Sequence, residues 1–139
     1  MLAALWWGSL TALGFLVVPL LFQHLPSPAA AGAMAAKLFT AQTWLSVGCT
    51  FLILLISNKK EPLVTVSIAN SAIKYVVLGL LLAVLVEFGV SAQISTARVT
   101  GGNLRLWHAV GSGMYLGQWL CAGWVLWRLS ATGARPNRS

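Results

Sequence analysis

Acidic side chains are nearly absent from the chain. Glu61 and Glu87 are its two carboxylates, and there is no aspartate. Only 8% of the 139 residues are charged, whereas about 25% of residues are charged in soluble domains. This scarcity excludes a soluble enzyme and a disordered regulator, because so few charges provide neither a hydrated surface nor a self-repelling chain.

Cysteine is scarce as well. Cys49 and Cys121 lie in separate uncharged runs, without the CxxC spacing of redox or zinc motifs. Two isolated thiols of this kind predict small apolar packing residues. The sequence therefore excludes a secreted scaffold built on disulfides.

Motifs for catalysis and for nucleic-acid binding are also missing. The chain has no GxSxG, no HExxH and no glycine-rich phosphate loop, so we expect no enzyme. Its net charge is +7, but the nine lysines and arginines punctuate apolar runs and form no continuous basic face. We therefore expect no nucleic-acid partner.

Apolar residues dominate what is present. They make up 58% of the chain, and the mean hydropathy is +0.83. A helix needs about 20 residues to cross the roughly 30 Å hydrocarbon core of a bilayer. Four stretches of this kind, at about 2–24, 36–57, 69–92 and 106–128, predict spans. The predicted fold is an all-α integral membrane four-helix bundle in a single domain, 1–139.

The third stretch is the least regular. Only 12 uncharged residues separate Lys74 from Glu87, too few to cross, so the span must include one or both charges. Lys74 then snorkels to one membrane face while Glu87 approaches the other. A re-entrant segment is the alternative. In the first stretch, which we take as a retained span and not a signal peptide, Pro19 predicts a kink.

The distribution of lysine and arginine predicts the orientation. With the N-terminus inside, five basic residues lie on the inner side and three on the outer side, so both termini are expected in the cytoplasm. The inner five are Lys59, Lys60, Arg128, Arg135 and Arg138, and the outer three are Lys37, Arg98 and Arg105. Tryptophans at the span ends predict two interfacial belts, an inner one with Trp6, Trp7, Trp124 and Trp127 and an outer one with Trp107.

Small residues spaced by four form ridges on two spans. Such ridges let helices approach closely, and we expect these to pack within one bundle. The predicted packing residues are Gly8 and Ala12 in the first span and Ala109, Gly113 and Gly117 in the fourth. The expected partners are the lipid bilayer and either further copies of the chain or a larger membrane complex.

Several blocks resemble a known family. They are Trp7-Gly8-Ser9-Leu10, Val18-Pro19-Leu20-Leu21-Phe22, Phe39-Thr40-Ala41-Gln42, Glu87-Phe88-Gly89-Val90 and Leu106-Trp107-His108-Ala109. The chain is similar in these blocks to the bacterial domain-of-unknown-function 4149 family, related to eukaryotic transmembrane protein 205. The resemblance implies a four-span protein of the bacterial inner membrane and supplies no catalytic residues.

Polar side chains are predicted to converge at the outer side. They are His24, Gln42, Glu87, Arg98, Arg105 and His108, with Tyr115 and Gln118 continuing the His108 stripe. We expect Glu87 to pair with Arg98 or Arg105. The cluster is open to three interpretations: interfacial solvation, binding or relay of a proton or small polar solute, and ligation of a haem or metal by His24 and His108.

These observations favour a structural or accessory membrane subunit without a resident cofactor, packing through its glycine ridges. Two alternatives remain open. One is a unit for permeation of a small solute or proton through the outer cluster, and the other is a haem- or metal-binding redox component.

Overall fold

The computed structural model describes the backbone of residues 1–57 and 64–133 and the side chains of residues 1–56 and 72–131. Within these ranges the chain folds into four helices. They are α1 (Leu2–His24), α2 (Pro28–Ser57), α3 (residues 64–100) and α4 (Leu104–Gly133). The all-α prediction is confirmed. The predicted inner cations Lys59, Lys60, Arg135 and Arg138 lie outside the described residues.

Helix α1 changes its hydrogen-bond register ahead of its proline. An α-helical part, Leu2–Ala12, is followed by a π-helical turn over Leu13–Val17 and a second α-helical part, Val18–His24. In the wider turn the N–H of Val18 donates to the carbonyl of Leu13. Pro19, which has no N–H, therefore stands where two registers meet, and the irregularity predicted there takes the form of a π turn.

Helix α3 is longer than predicted. It comprises Val64–Val84, a π-helical turn over Leu85–Val90, and Ser91–Thr100. The predicted span ended at residue 92 and left Arg98 in a loop, whereas Arg98 lies on the helix. In the polar extension the hydroxyls of Ser95 and Thr96 are satisfied by carbonyls four residues earlier on the same helix.

The connections on either side are short and capped. Ser27 precedes α2, and its hydroxyl accepts the N–H of Ala30 at 3.2 Å. Gly101, at φ 73°, ends α3 in the left-handed region that favours glycine. Asn103 then caps α4 by accepting the N–H of Leu106 at 3.0 Å. Each connection spans three residues, so α1 and α2, like α3 and α4, must run antiparallel.

The helices pack in a ring. α1 contacts α2 and α4, and α3 contacts the same two helices, with its most extensive interface against α4. The fully buried side chains at the centre are Trp6 and Leu10 of α1, Ser46 and Thr50 of α2, Val76 of α3 and Val125 of α4. The core therefore takes residues from all four helices.

The outer surface is apolar. Three helices among the described residues are long and apolar enough to cross a membrane: Leu2–His24, Pro28–Ile56 and Ala72–Thr100. α4 is 30 residues long but less apolar along its length. Large hydrophobic side chains stand exposed on every helix, among them Phe15, Phe22, Trp44, Phe51, Leu81, Phe88 and Leu120. Surfaces of this kind need an apolar environment.

Candidate functional site

A buried hydrogen-bond network lies at the centre of the helix ring. The Ser46 hydroxyl of α2 accepts the indole N–H of Trp6 from α1 at 3.1 Å and the amide of Gln118 from α4 at 3.0 Å. The amide of Gln42 lies 3.5 Å from the same oxygen and donates to the Ser9 hydroxyl at 3.0 Å. One serine oxygen thus links three helices.

The position of Trp6 corrects the predicted inner belt. Trp6 has no exposed surface and belongs to the core, not to a membrane interface. It can be buried because Ser46 satisfies its polar N–H and because Gly79 leaves room for its ring. A Cβ added at Gly79 would come within 2.7 Å of Trp6 Cη2.

Two more interhelical bonds join α1 to α4. The Tyr115 hydroxyl donates to the carbonyl of Leu10 at 2.7 Å, and the indole N–H of Trp119 donates to the Thr11 hydroxyl at 2.9 Å. Gly14 gives the Tyr115 ring its space, since a Cβ there would lie 2.7 Å from Tyr115 Cε1. The Tyr115 hydroxyl and the Trp119 indole N–H are thus both satisfied within the protein.

The predicted small-residue ridges lie largely outside this core. Gly117 does contact α3, because a Cβ there would be 3.3 Å from Leu82 Cδ1. Among the described residues, a Cβ at Gly8 or Gly113 would meet no packing neighbour within 4 Å, and Ala12 and Ala109 are exposed. The helices are rotated so that large aromatic rings fill the interior, which corrects the expected packing of these four positions within one bundle.

Glu87 lies in a groove between α2 and α3. The groove has a volume of about 250 Å³ and is lined by Thr40, Thr43, Trp44, Val47, Val84, Glu87 and Phe88. The Thr40 hydroxyl donates to Glu87 Oε1 at 2.7 Å. Glu87 stands in the π-helical turn of α3, and turns of this kind are frequent at functional sites.

The predicted pairing of Glu87 with an arginine is absent. Among the described side chains, no cation lies within salt-bridge distance of Glu87. Arg98 instead reaches across to α2, where a Cβ on Gly32 would be 3.1 Å from its Nη2. Arg105 is exposed in the first turn of α4. The prediction misplaced Arg98 because it treated as a loop a stretch that extends α3.

The other members of the predicted polar cluster do not converge. Gln42 and Gln118 meet at Ser46 inside the ring, and Tyr115 bonds to α1. His24 and His108 are exposed, and His24 Nδ1 lies 3.0 Å from the carbonyl of Leu20 on its own helix. Among the described residues, no three histidine, cysteine or acidic side chains form a group that could hold a metal ion.

The predicted inner belt on α4 contains a packed cation. The Arg128 guanidinium lies 5.0 Å from the ring centre of Trp124 and 5.6 Å from that of Trp127. Trp124 also contacts the ring of Tyr75 on α3, at 5.5 Å between centres. The cation–π contacts therefore lie within α4, and the ring contact between Trp124 and Tyr75 joins this end of α4 to α3.

Sequence reasoning missed the two residues at the middle of the network. Ser46 carries no motif, and Trp6 was assigned to the membrane interface. A signal was present in the spacing, since Gln42, Ser46 and Thr50 recur every four residues and so share one face of α2. A polar stripe within an apolar span usually faces other helices.

Residues 1–103, which include α1, α2 and α3, match the model of one protein family, the domain of unknown function DUF4149. The chain belongs to the DUF4149 family. The match covers Ser46, Gly79 and Glu87, while the α4 residues Tyr115 and Gln118 lie beyond its end. No curated protein and no solved structure matches this DUF4149 chain.

Proposed function

We propose that the protein is a four-span inner-membrane subunit with a structural or accessory role, and that its glycine faces bind another membrane protein. The proposal is supported chiefly by Gly8, which is half-buried, and Gly113, which is exposed: among the described residues, a Cβ added at either would meet no packing neighbour within 4 Å. Small residues on a lipid-facing helix allow a second helix to approach its backbone closely. The faces that the sequence assigned to internal packing are thus available for external packing.

The hydrogen bonds inside the bundle favour a structural role over a channel for solutes. Gln42, Gln118 and Tyr115 would be the polar lining of a channel through the bundle, but each donates to a neighbouring helix. The donor groups of these three side chains are therefore engaged inside the bundle. These bonds instead hold α1, α2 and α4 in one arrangement.

The proposal includes the crossing of α4 and a cytoplasmic location for both termini. We also propose that the membrane is the bacterial inner membrane and that the chain is related to eukaryotic transmembrane protein 205. A reporter active only in the periplasm would be fused after Ser139 and, separately, within residues 25–27. We expect activity from the second fusion alone. Activity at the C-terminus with silence at residues 25–27 would contradict the topology.

Crosslinking in native membranes tests the partner. Gly113→Cys and Gly8→Cys would be treated with a short thiol-reactive crosslinker, and Leu120→Cys, an exposed α4 position, is the matched control. We expect an adduct of one constant mass with a foreign protein from the glycine positions and none from Leu120. An adduct of twice the chain's mass would indicate a homo-oligomer instead. Equal adducts from all three positions would reject the proposal.

A second candidate function, permeation of a small solute or proton, is favoured by one observation, the carboxylate of Glu87 within an apolar helix. An ionisable group in such a position is a functional candidate. Uptake or proton flux into vesicles containing the purified protein, abolished by Glu87→Gln, would support this function over the accessory one.

A further inference from the structure

The groove between α2 and α3 combines one acidic group with apolar and aromatic walls. Glu87 provides the carboxylate, and the rings of Trp44 and Phe88 form part of the wall. Both rings belong to strongly exposed residues, 65% and 67% exposed respectively. The groove is therefore accessible from the apolar surroundings of the bundle.

The carboxylate has one partner in the described part of the chain, and that partner is neutral. The Thr40 hydroxyl donates to Oε1. Arg98, three turns further along α3, is directed to Gly32. An anion in apolar surroundings is costly unless it is paired, so the site is complementary to a positive charge that the described side chains do not supply.

The residues that form the walls of the groove indicate the chemical class of the cationic ligand. Aromatic rings attract ammonium groups as well as apolar surface. A phospholipid acyl chain alone would leave the carboxylate unmatched, and an anionic headgroup would be repelled. The cavity of about 250 Å³ is smaller than the roughly 300–1,000 Å³ typical of sites for drug-sized ligands, which indicates a small ligand.

We propose that this groove binds a small lipophilic cation of the aryl- or alkylammonium class, with its charge at Glu87 and its apolar part against Trp44 and Phe88. This binding site is independent of the accessory role of the glycine faces. The cation enters from the lipid phase, where such compounds partition, and Thr40 holds the carboxylate in position.

The test uses benzyltrimethylammonium as the probe and its neutral carbon analogue, neopentylbenzene, as the control ligand. Binding to the purified full chain in detergent is measured by isothermal titration. We expect the cation to bind and the neutral analogue to bind at least tenfold more weakly. Equal binding of the two compounds would overturn the proposal.

Two variants locate the binding site. Glu87→Gln preserves the bond from Thr40, because an amide oxygen also accepts, and it removes only the charge; we expect at least a tenfold loss of affinity. Phe88→Leu should weaken binding severalfold, whereas Phe22→Leu, an exposed phenylalanine on α1, should not. If Glu87→Gln does not fold, the comparison of binding to Phe88→Leu and to Phe22→Leu decides whether the groove is the binding site. Unchanged affinity in Phe88→Leu would overturn the proposal.

Native mass spectrometry of the same sample identifies the competing occupant. A phospholipid that remains bound to the wild-type protein at saturating cation, and is lost from Phe88→Leu, would assign the groove to lipid and overturn the proposal. Displacement of any bound lipid by the cation, and not by the neutral analogue, is the result we expect.

Discussion

Replacement of Ser46 by alanine removes the oxygen that joins α1, α2 and α4. The indole N–H of Trp6 and the amide of Gln118 both lose their acceptor. In membranes an interhelical side-chain hydrogen bond contributes about 0.6 kcal/mol on average and up to about 1.7 kcal/mol. We therefore expect Ser46→Ala to lower the free energy of unfolding by about 1–3 kcal/mol. We expect a loss towards the upper end of this range, because Trp6 is 0% and Gln118 only 4% exposed. Water therefore cannot take the place of the Ser46 hydroxyl as their hydrogen-bond acceptor.

The assay is equilibrium unfolding in mixed micelles of a mild detergent and dodecyl sulfate, followed by far-ultraviolet circular dichroism. The matched control is Ser95→Ala, an exposed serine that bonds only to a carbonyl of its own helix, and it should change stability by less than about 0.5 kcal/mol. In a double-mutant cycle with Gln118→Leu, the combined loss should be smaller than the sum of the single losses, because both changes remove the same bond. Equal losses for Ser46→Ala and Ser95→Ala, or an additive cycle, would refute the reasoning.

The remaining predictions concern glycines. Gly79→Ala brings a Cβ to 2.7 Å from the buried Trp6 ring, so overpacking should cost about 1–3 kcal/mol, partly offset by the better helix propensity of alanine. The control is Gly113→Ala, where the added Cβ has open space, and we expect it to leave the melting temperature unchanged or raised. A similar change in Gly79→Ala and Gly113→Ala would disprove the close fit of the Trp6 ring against Gly79. Gly117→Leu should lower the melting temperature, because the larger side chain collides with Leu82, and an unchanged value would exclude that contact.

The sequence predicts helix positions well where apolar runs are long and their ends are marked. α1 ends at the predicted position, whereas α2 begins at Pro28, eight residues before the predicted start of the second span. The end of α3 was misjudged because a polar composition was taken to mean a loop. Serine and threonine can remain in a helix when their hydroxyls bond to carbonyls of the previous turn, as at Ser95 and Thr96.

The rotation of each helix was much harder to predict. In a soluble bundle the apolar face identifies the interior, but here the exposed and buried faces of α1 are both apolar, as Leu5 and Leu10 illustrate. Small residues were therefore assigned to the interior, and a large one, Trp6, to the edge. What sets the rotation is complementarity of shape, in which Gly79 is paired with Trp6; no single-helix pattern contains this information.

The position of Trp6 imposes an order on biosynthesis. Its indole is synthesised 40 residues before its acceptor Ser46, and later still comes Gly79, the residue that makes room for its ring. A nascent chain that has reached the end of α2 therefore contains the acceptor for the Trp6 N–H but not yet the α3 surface against which the ring packs. The Trp6 ring reaches its full packing only once α3 is present, because one side of the ring lies against Gly79. Complete burial of Trp6 thus requires the third helix, even though Trp6 itself is among the first residues to leave the ribosome.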